Sequence, residues 1–142
     1  MSVILAQTDT TVGLLSRDAQ ALNTIKQRPP QKPYLKIYYN LHTYKKHARV
    51  PNKFKAKVRR SHSISYVVKN EAFRIVASKE HEKILKKYGW LYSTSANKSG
   101  QHFQREFCES NADIIVEDYR GLYETVPSKI IKLSKTAKRR LR

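Results

Sequence analysis

Apolar and polar positions along this chain mark out short strands separated by helical and loop segments. "SVILAQ", beginning at Ser2, is an apolar run of strand length that stops at the polar cluster "TDTT", Thr8 to Thr11. Beyond it Ala19, Leu22 and Ile25 recur at helical spacing. This predicts a helix with Ser16 as N-cap, Asp18 in its first turn and Pro29-Pro30 as its stop. "YLKIYYN", Tyr34 to Asn40, alternates Leu35, Ile37 and Tyr39 against Tyr34, Lys36 and Tyr38, the period of a strand. The basic stretch 41–60, interrupted by Pro51, predicts one or two short helices.

"SISYVV" and "AFRIVA", joined at "KNE", read as a hairpin. Ser78 is placed as the cap of a helix in "KEHEKILKKYG", with Ile84, Leu85 and Tyr88 on its apolar face and Gly89 at the position after its end. "WLYST" is then a strand. After "SANKSG" come a helix in "HFQREFCES", a strand in "ADIIVED", a turn at Arg120-Gly121 and a last strand in "SKIIKL". Strands alternating with helices predict an α/β fold with helices packed on a sheet. At 142 residues one domain is the expectation, over 1–133, with 134–142 as a basic C-terminal tail.

Charge changes the picture most. The chain has 29 Lys and Arg against 11 Asp and Glu, a net charge of +18. No acid occurs between Asp18 and Glu71. Such a field attracts polyanions, and the stretch Lys45, Lys46, Arg49, Lys53, Lys55, Lys57, Arg59 and Arg60 is the expected RNA-binding surface, interleaved with Tyr34, Tyr38, Tyr39 and Tyr44. The apolar runs are too short to span a bilayer and Cys108 is the sole cysteine, so the expectation is a cytoplasmic protein without a disulfide or a membrane partner. Cys108 is expected as a small buried hydrophobe. The five His are scattered and predict no protein-held metal.

Three clusters carry candidate chemistry. Lys26 and Arg28, with Lys32, crowd the end of the first helix, where a guanidinium fork and a mobile ammonium suit phosphate oxygens. Alone, such cations are better explained by the helix dipole. "STSAN" and "QTDTT" each place small hydroxyl groups after a β-type run, where α/β sheets place ligands, although alone the first reads as a self-satisfied turn and the second as a helix N-terminal cap. No Gly-rich phosphate loop is present.

Taken together, "QTDTTVGLL", "IKQRPPQKPYLKI" and "STSANKSG" resemble, in order and spacing, the signature of the YrdC-like family. "AFRIV" and "VPSKII" extend the resemblance from Val3 to about Leu133. Ser65 stands where the family carries the threonine of a Pro-Gly-Pro-x-Thr motif, and Gln7 and Val12 replace a usual proline and aromatic. The resemblance implies a twisted, mostly mixed or antiparallel sheet with flanking helices. It also implies the activity of a nucleotidyltransferase, an L-threonylcarbamoyladenylate synthase. Such an enzyme joins L-threonine, bicarbonate and ATP, with Mg2+ accompanying the nucleotide, and supplies the threonylcarbamoyladenosine modification of tRNA. Partner proteins of tRNA threonylcarbamoylation are implied as well.

Carried onto this chain, Lys26, Arg28, Ser95, Asn97 and Ser128 resemble the nucleotide-binding residues. Thr8, Thr10, Lys32 and Arg74 resemble the substrate-binding ones. No covalent catalyst is implied, since positioning and charge neutralisation suffice for attack on an α-phosphate. The alternative is a non-catalytic protein on the same fold that binds tRNA or ribosomal RNA.

Overall fold

The computed structural model describes residues 2–28, 33–61, 63–76 and 79–142. The expectations placed on Pro29, Pro30, Lys32 and Ser78 lie outside them. Among the described residues the chain forms nine strands, five α-helices and one 3-10 turn, a mixed α/β fold. It divides into two compact units. The first runs up to Tyr34 and resumes over Leu91–Pro127; the second comprises Leu35–Trp90 with Ser128–Arg142.

In the first unit, β1 (Ile4–Gln7) and β2 (Val12–Ser16) form an antiparallel hairpin around Thr8–Thr11. β1 also pairs in parallel with β7 (Ile114–Val116), and β2 pairs antiparallel with β6 (Trp90–Ser95). Every residue of β2 is buried, so it lacks the alternation of a half-exposed strand. That is why "VGLLS" escapes a periodicity reading, which runs the chain from "TDTT" straight to a helix. The helix α1 (Ala19–Lys26) begins later than predicted. Asp18 is its N-cap, the carboxylate accepting the Gln20 N–H, whereas Ser16 lies in β2 and its hydroxyl accepts the Asp18 N–H. Its end turns at Gln27, whose φ of 52° is left-handed. Leu5, Leu14, Leu22, Tyr34 and Cys108 build this unit's core, with α5 (Arg105–Asn111) contributing Cys108.

The second unit holds β3 (Leu35–Tyr38), parallel to β5 (Glu71–Ile75), which is antiparallel to β4 (Ile64–Val68). β4 runs parallel to β8 (Lys129–Leu133), and β8 is antiparallel to β9 (Lys138–Arg140). The β4–β5 hairpin turns on Lys69 and Asn70, both left-handed at φ of 51° and 65°, the backbone a two-residue hairpin requires. Helices α2 (Leu41–Lys45), α3 (Lys55–Arg60) and α4 (Lys79–Tyr88), with the 3-10 turn Asn52–Phe54, complete it. Gly89, at φ 83°, closes α4 as its composition predicts. The segment from residue 134, expected as a tail, carries strand β9, whose side chains are all exposed.

Tyr38, Tyr44, Phe54, Tyr66 and Phe73 form the second core, with the Tyr44 and Phe73 rings stacked at 3.9 Å. Tyr34, Tyr38 and Tyr44 are thus core residues in their two units and offer no stacking surface to RNA. No described helix is long and apolar enough to cross a membrane.

Candidate functional site

In the first unit the strand register brings two of the sequence clusters to the same end of the sheet. Gly13, just after the "TDTT" turn, pairs with Ser95 of the "STSAN" turn, and the Ala96 N–H donates to Val12 O at 2.9 Å. Glycine is required at position 13 by close approach. A Cβ there would stand 2.8 Å from Thr8 Cγ2 and 3.3 Å from Thr94 O. The Thr8 hydroxyl donates to Thr11 O at 2.6 Å and accepts the Thr10 N–H at 3.1 Å, so Thr8 shapes the turn from its buried position. Thr10 is half-buried at the turn's apex. Arg120, paired with Asp118, reaches the carbonyls of Gln7 and Thr8 at 3.2 and 3.4 Å, and Thr125 donates to Thr10 O at 2.8 Å. Neither Arg120 nor Thr125 stands in a motif that a sequence reading singles out.

Lys26 draws the third cluster in. From the last turn of α1 its ammonium donates to Ser95 O at 3.0 Å, to Asn97 O at 2.8 Å and to Asn97 Oδ1. The Ser95 hydroxyl donates to the same Oδ1, Asn97 Nδ2 donates to Gln101 O, and the Ser99 hydroxyl donates back to Lys26 O. Burial first, and the nearby Arg28 charge second, push the Lys26 amine down to about 8. Burial likewise pushes the Cys108 thiol up. The Arg28 guanidinium carbon lies 4.5 Å from the centre of the Tyr34 ring, a cation–π contact, and the Tyr34 hydroxyl donates to Asn23 Oδ1.

The second unit holds a separate polar cluster. The Ser65 and Ser128 hydroxyls meet at 2.6 Å, both buried. The buried Arg74 donates to Ser65 Oγ at 3.4 Å, and Arg142 donates to Ser128 O at 2.9 Å and to Ser128 Oγ at 3.3 Å. Burial and then the Arg74 charge push the Arg142 guanidinium below its ordinary range. Two guanidiniums flanking two hydroxyls form a donor-rich pair of forks suited to an anion. Arg142 was not a predicted site residue. It ends a run of cations, and charge alone does not distinguish it from Arg139 or Arg140.

Of the predicted RNA-binding residues, Lys45, Arg49 and Lys55 line one groove, Lys53 donates to Thr136 O, and Lys57 lies against Lys138. Lys46, Arg59 and Arg60 are exposed elsewhere on α2 and α3 or beside them. Among the described residues no three His, Cys, Asp or Glu stand together.

A mixed α/β fold whose strand ends gather hydroxyls, an amide and cations defines the class of protein. The chain belongs to the Sua5/YciO/YrdC family, whose model, described as telomere recombination, matches residues 2–142. The solved structure of P. abyssi Sua5 complexed with L-threonine is similar at a TM-score of 0.81 and 17% identity, covering 99% of this chain and 50% of that one. E. coli YciO is similar at a TM-score of 0.79 and 17% identity, covering 99% of this chain and 82% of the other. At such identities the likeness is one of fold. In sequence, uncharacterized protein MG259 homolog of Mycoplasma pneumoniae is 32% identical over 96 residues, 66% of this chain and 20% of that protein. The chain thus spans a fifth of that relative's length and half of Sua5's.

Proposed function

We propose that this chain is a threonylcarbamoyl-AMP synthase domain, joining L-threonine, bicarbonate and ATP with release of pyrophosphate and so serving tRNA threonylcarbamoylation. One observation carries the reading. Lys26 and the Ser95-x-Asn97 motif, 69 residues apart at Lys26 and Ser95, are bonded to one another beside the Thr8–Thr11 turn. Family membership and the L-threonine of the Sua5 complex support it.

The chemistry asks for positioning more than for a nucleophile. Threonine's amine and bicarbonate condense to a carbamate with loss of water. A carbamate oxygen then attacks the α-phosphorus, and pyrophosphate leaves with the electron pair of the broken P–O bond. Arg28, held against the Tyr34 ring, presents a fork to the phosphates, and Lys26 adds its charge while holding the Ser95–Asn97 turn in shape. Thr8 and Thr10 shape the threonine side of the site. Magnesium would accompany the nucleotide as its counter-ion.

Purified protein given ATP, bicarbonate and labelled threonine tests the reading. Threonylcarbamoyl-AMP with matching pyrophosphate is expected, and product no greater than in a protein-free control would refute it. A second reading, RNA binding without catalysis, is favoured by the charge of the second unit. It predicts RNA affinity with no such product.

A further inference from the structure

The chain's charge is divided unequally. Of its 29 Lys and Arg, 22 fall in the second unit with three of the 11 acids, leaving seven cations and eight acids to the first. The second unit also has a concave feature to hold a partner. A groove of about 770 Å3 is rimmed by Lys45, Arg49, Lys55, Lys69 and Lys135. Val50, Val68 and Leu133, all buried, form its floor, and none of its described lining residues is acidic.

Backbone geometry places these cations. Lys45 ends α2, Lys69 sits in the β4–β5 turn, and Lys135 follows β8 in a turn closed by the Ser134 N–H on Ala137 O at 2.9 Å. Lys53, from the 3-10 turn, donates to Thr136 O at 3.2 Å and ties that wall to the β8–β9 turn. Beyond it Lys57 and Lys138 press together, and Lys57 is pushed below the usual lysine range first by that contact. Cations converging without acids gain nothing from one another, so the arrangement is explained by an anion that spans them. The groove lies at the far end of β4 and β8 from Ser65 and Ser128, and is thus distinct from the polar cluster of that unit.

We infer that this groove docks the sugar-phosphate backbone of an RNA, with successive phosphates on the five rim cations and sugar edges on the aliphatic floor. One phosphate metabolite would not occupy so many separated charges. A bilayer would need apolar side chains that protrude, and here they lie at the bottom of a groove. That the polyanion is RNA and not DNA rests on the proposed function; the charge of the groove does not.

Fluorescence anisotropy of a labelled tRNA transcript, from 50 to 200 mM salt, tests the assignment. Three proteins are compared: wild type, the groove triple Lys45→Ala, Arg49→Ala, Lys135→Ala, and a control triple Lys79→Ala, Lys83→Ala, Lys86→Ala on the exposed face of α4. All six side chains are exposed and the charge removed is the same. The groove triple is expected to weaken binding about tenfold and flatten the slope of log affinity against log salt by about two. The control is expected to stay within about twofold. Equal losses in the two triples, equal affinity for a DNA duplex, or binding to phosphatidylserine vesicles in preference to the transcript would overturn the inference. Threonylcarbamoyl-AMP formation measured without RNA separates the two readings. If the groove result holds while no product forms, the catalytic reading falls and RNA docking at the groove stands.

Discussion

Lys26 and Asn97 show how a residue can read as a ligand group in sequence and act as a scaffold as well. By composition, Asn97 is a loop amide whose loss costs affinity and little else. In the structure its side chain accepts from Lys26 and Ser95 and donates to Gln101. Asn97→Ala is therefore expected to lower unfolding free energy by about 1–3 kcal/mol, since a buried ammonium and a turn carbonyl lose partners. Urea titration checks this, and unchanged stability would show that the turn is held by other bonds. Lys26 also makes a pH signature. Its folded-state pKa, about 8, lies below the unfolded lysine value, so between these two values the unfolded chain binds more protons. Stability relative to Lys26→Met is expected to rise with pH from about 8 toward about 10.4, where lysine titrates when unfolded. A flat or falling difference would contradict it.

At the scale of elements, β1 was legible as an unbroken apolar run although all of it is buried, and the β4–β5 hairpin, α4 with Gly89, and β7 were legible from β-type runs, helical spacing or a glycine after the helix. The strand β2, equally buried, was not, because Gly13 interrupts its apolar run and its polar entry turn resembles a helix start. The cap shifted for the same reason: Ser16 belongs to that hidden strand, and Asp18 does the capping. Asp18→Ala is expected to destabilise the protein by about 1 kcal/mol, measured as a lower urea midpoint at unchanged slope. No change would mean that the Ser16 hydroxyl alone suffices to start α1. Among candidate site residues, the hydroxyls and amide at strand ends were legible because they follow β-type runs in the sequence. The pairing of Arg142 with Ser128 and the convergence of Lys69 and Lys135 on the groove were not, since long-range pairing and turn geometry are absent from a charge pattern.

For the whole molecule, the division of charge between the units bears on both readings. The first unit is close to neutral and holds the bonded Lys26, Ser95 and Asn97. The second carries all of the excess positive charge, the Arg74–Ser65–Ser128–Arg142 cluster and the groove. An enzyme handling one nucleotide needs far fewer cations, so the surplus favours the proposed RNA groove, and the bonded motifs favour the proposed chemistry. The proposed catalysis is tested most directly by pyrophosphate release from ATP, followed with threonine and bicarbonate added singly and together. Release that needs both is expected, lost in Arg28→Ala while that variant's melting temperature is kept. Release independent of threonine, or none in the wild-type protein, would contradict it.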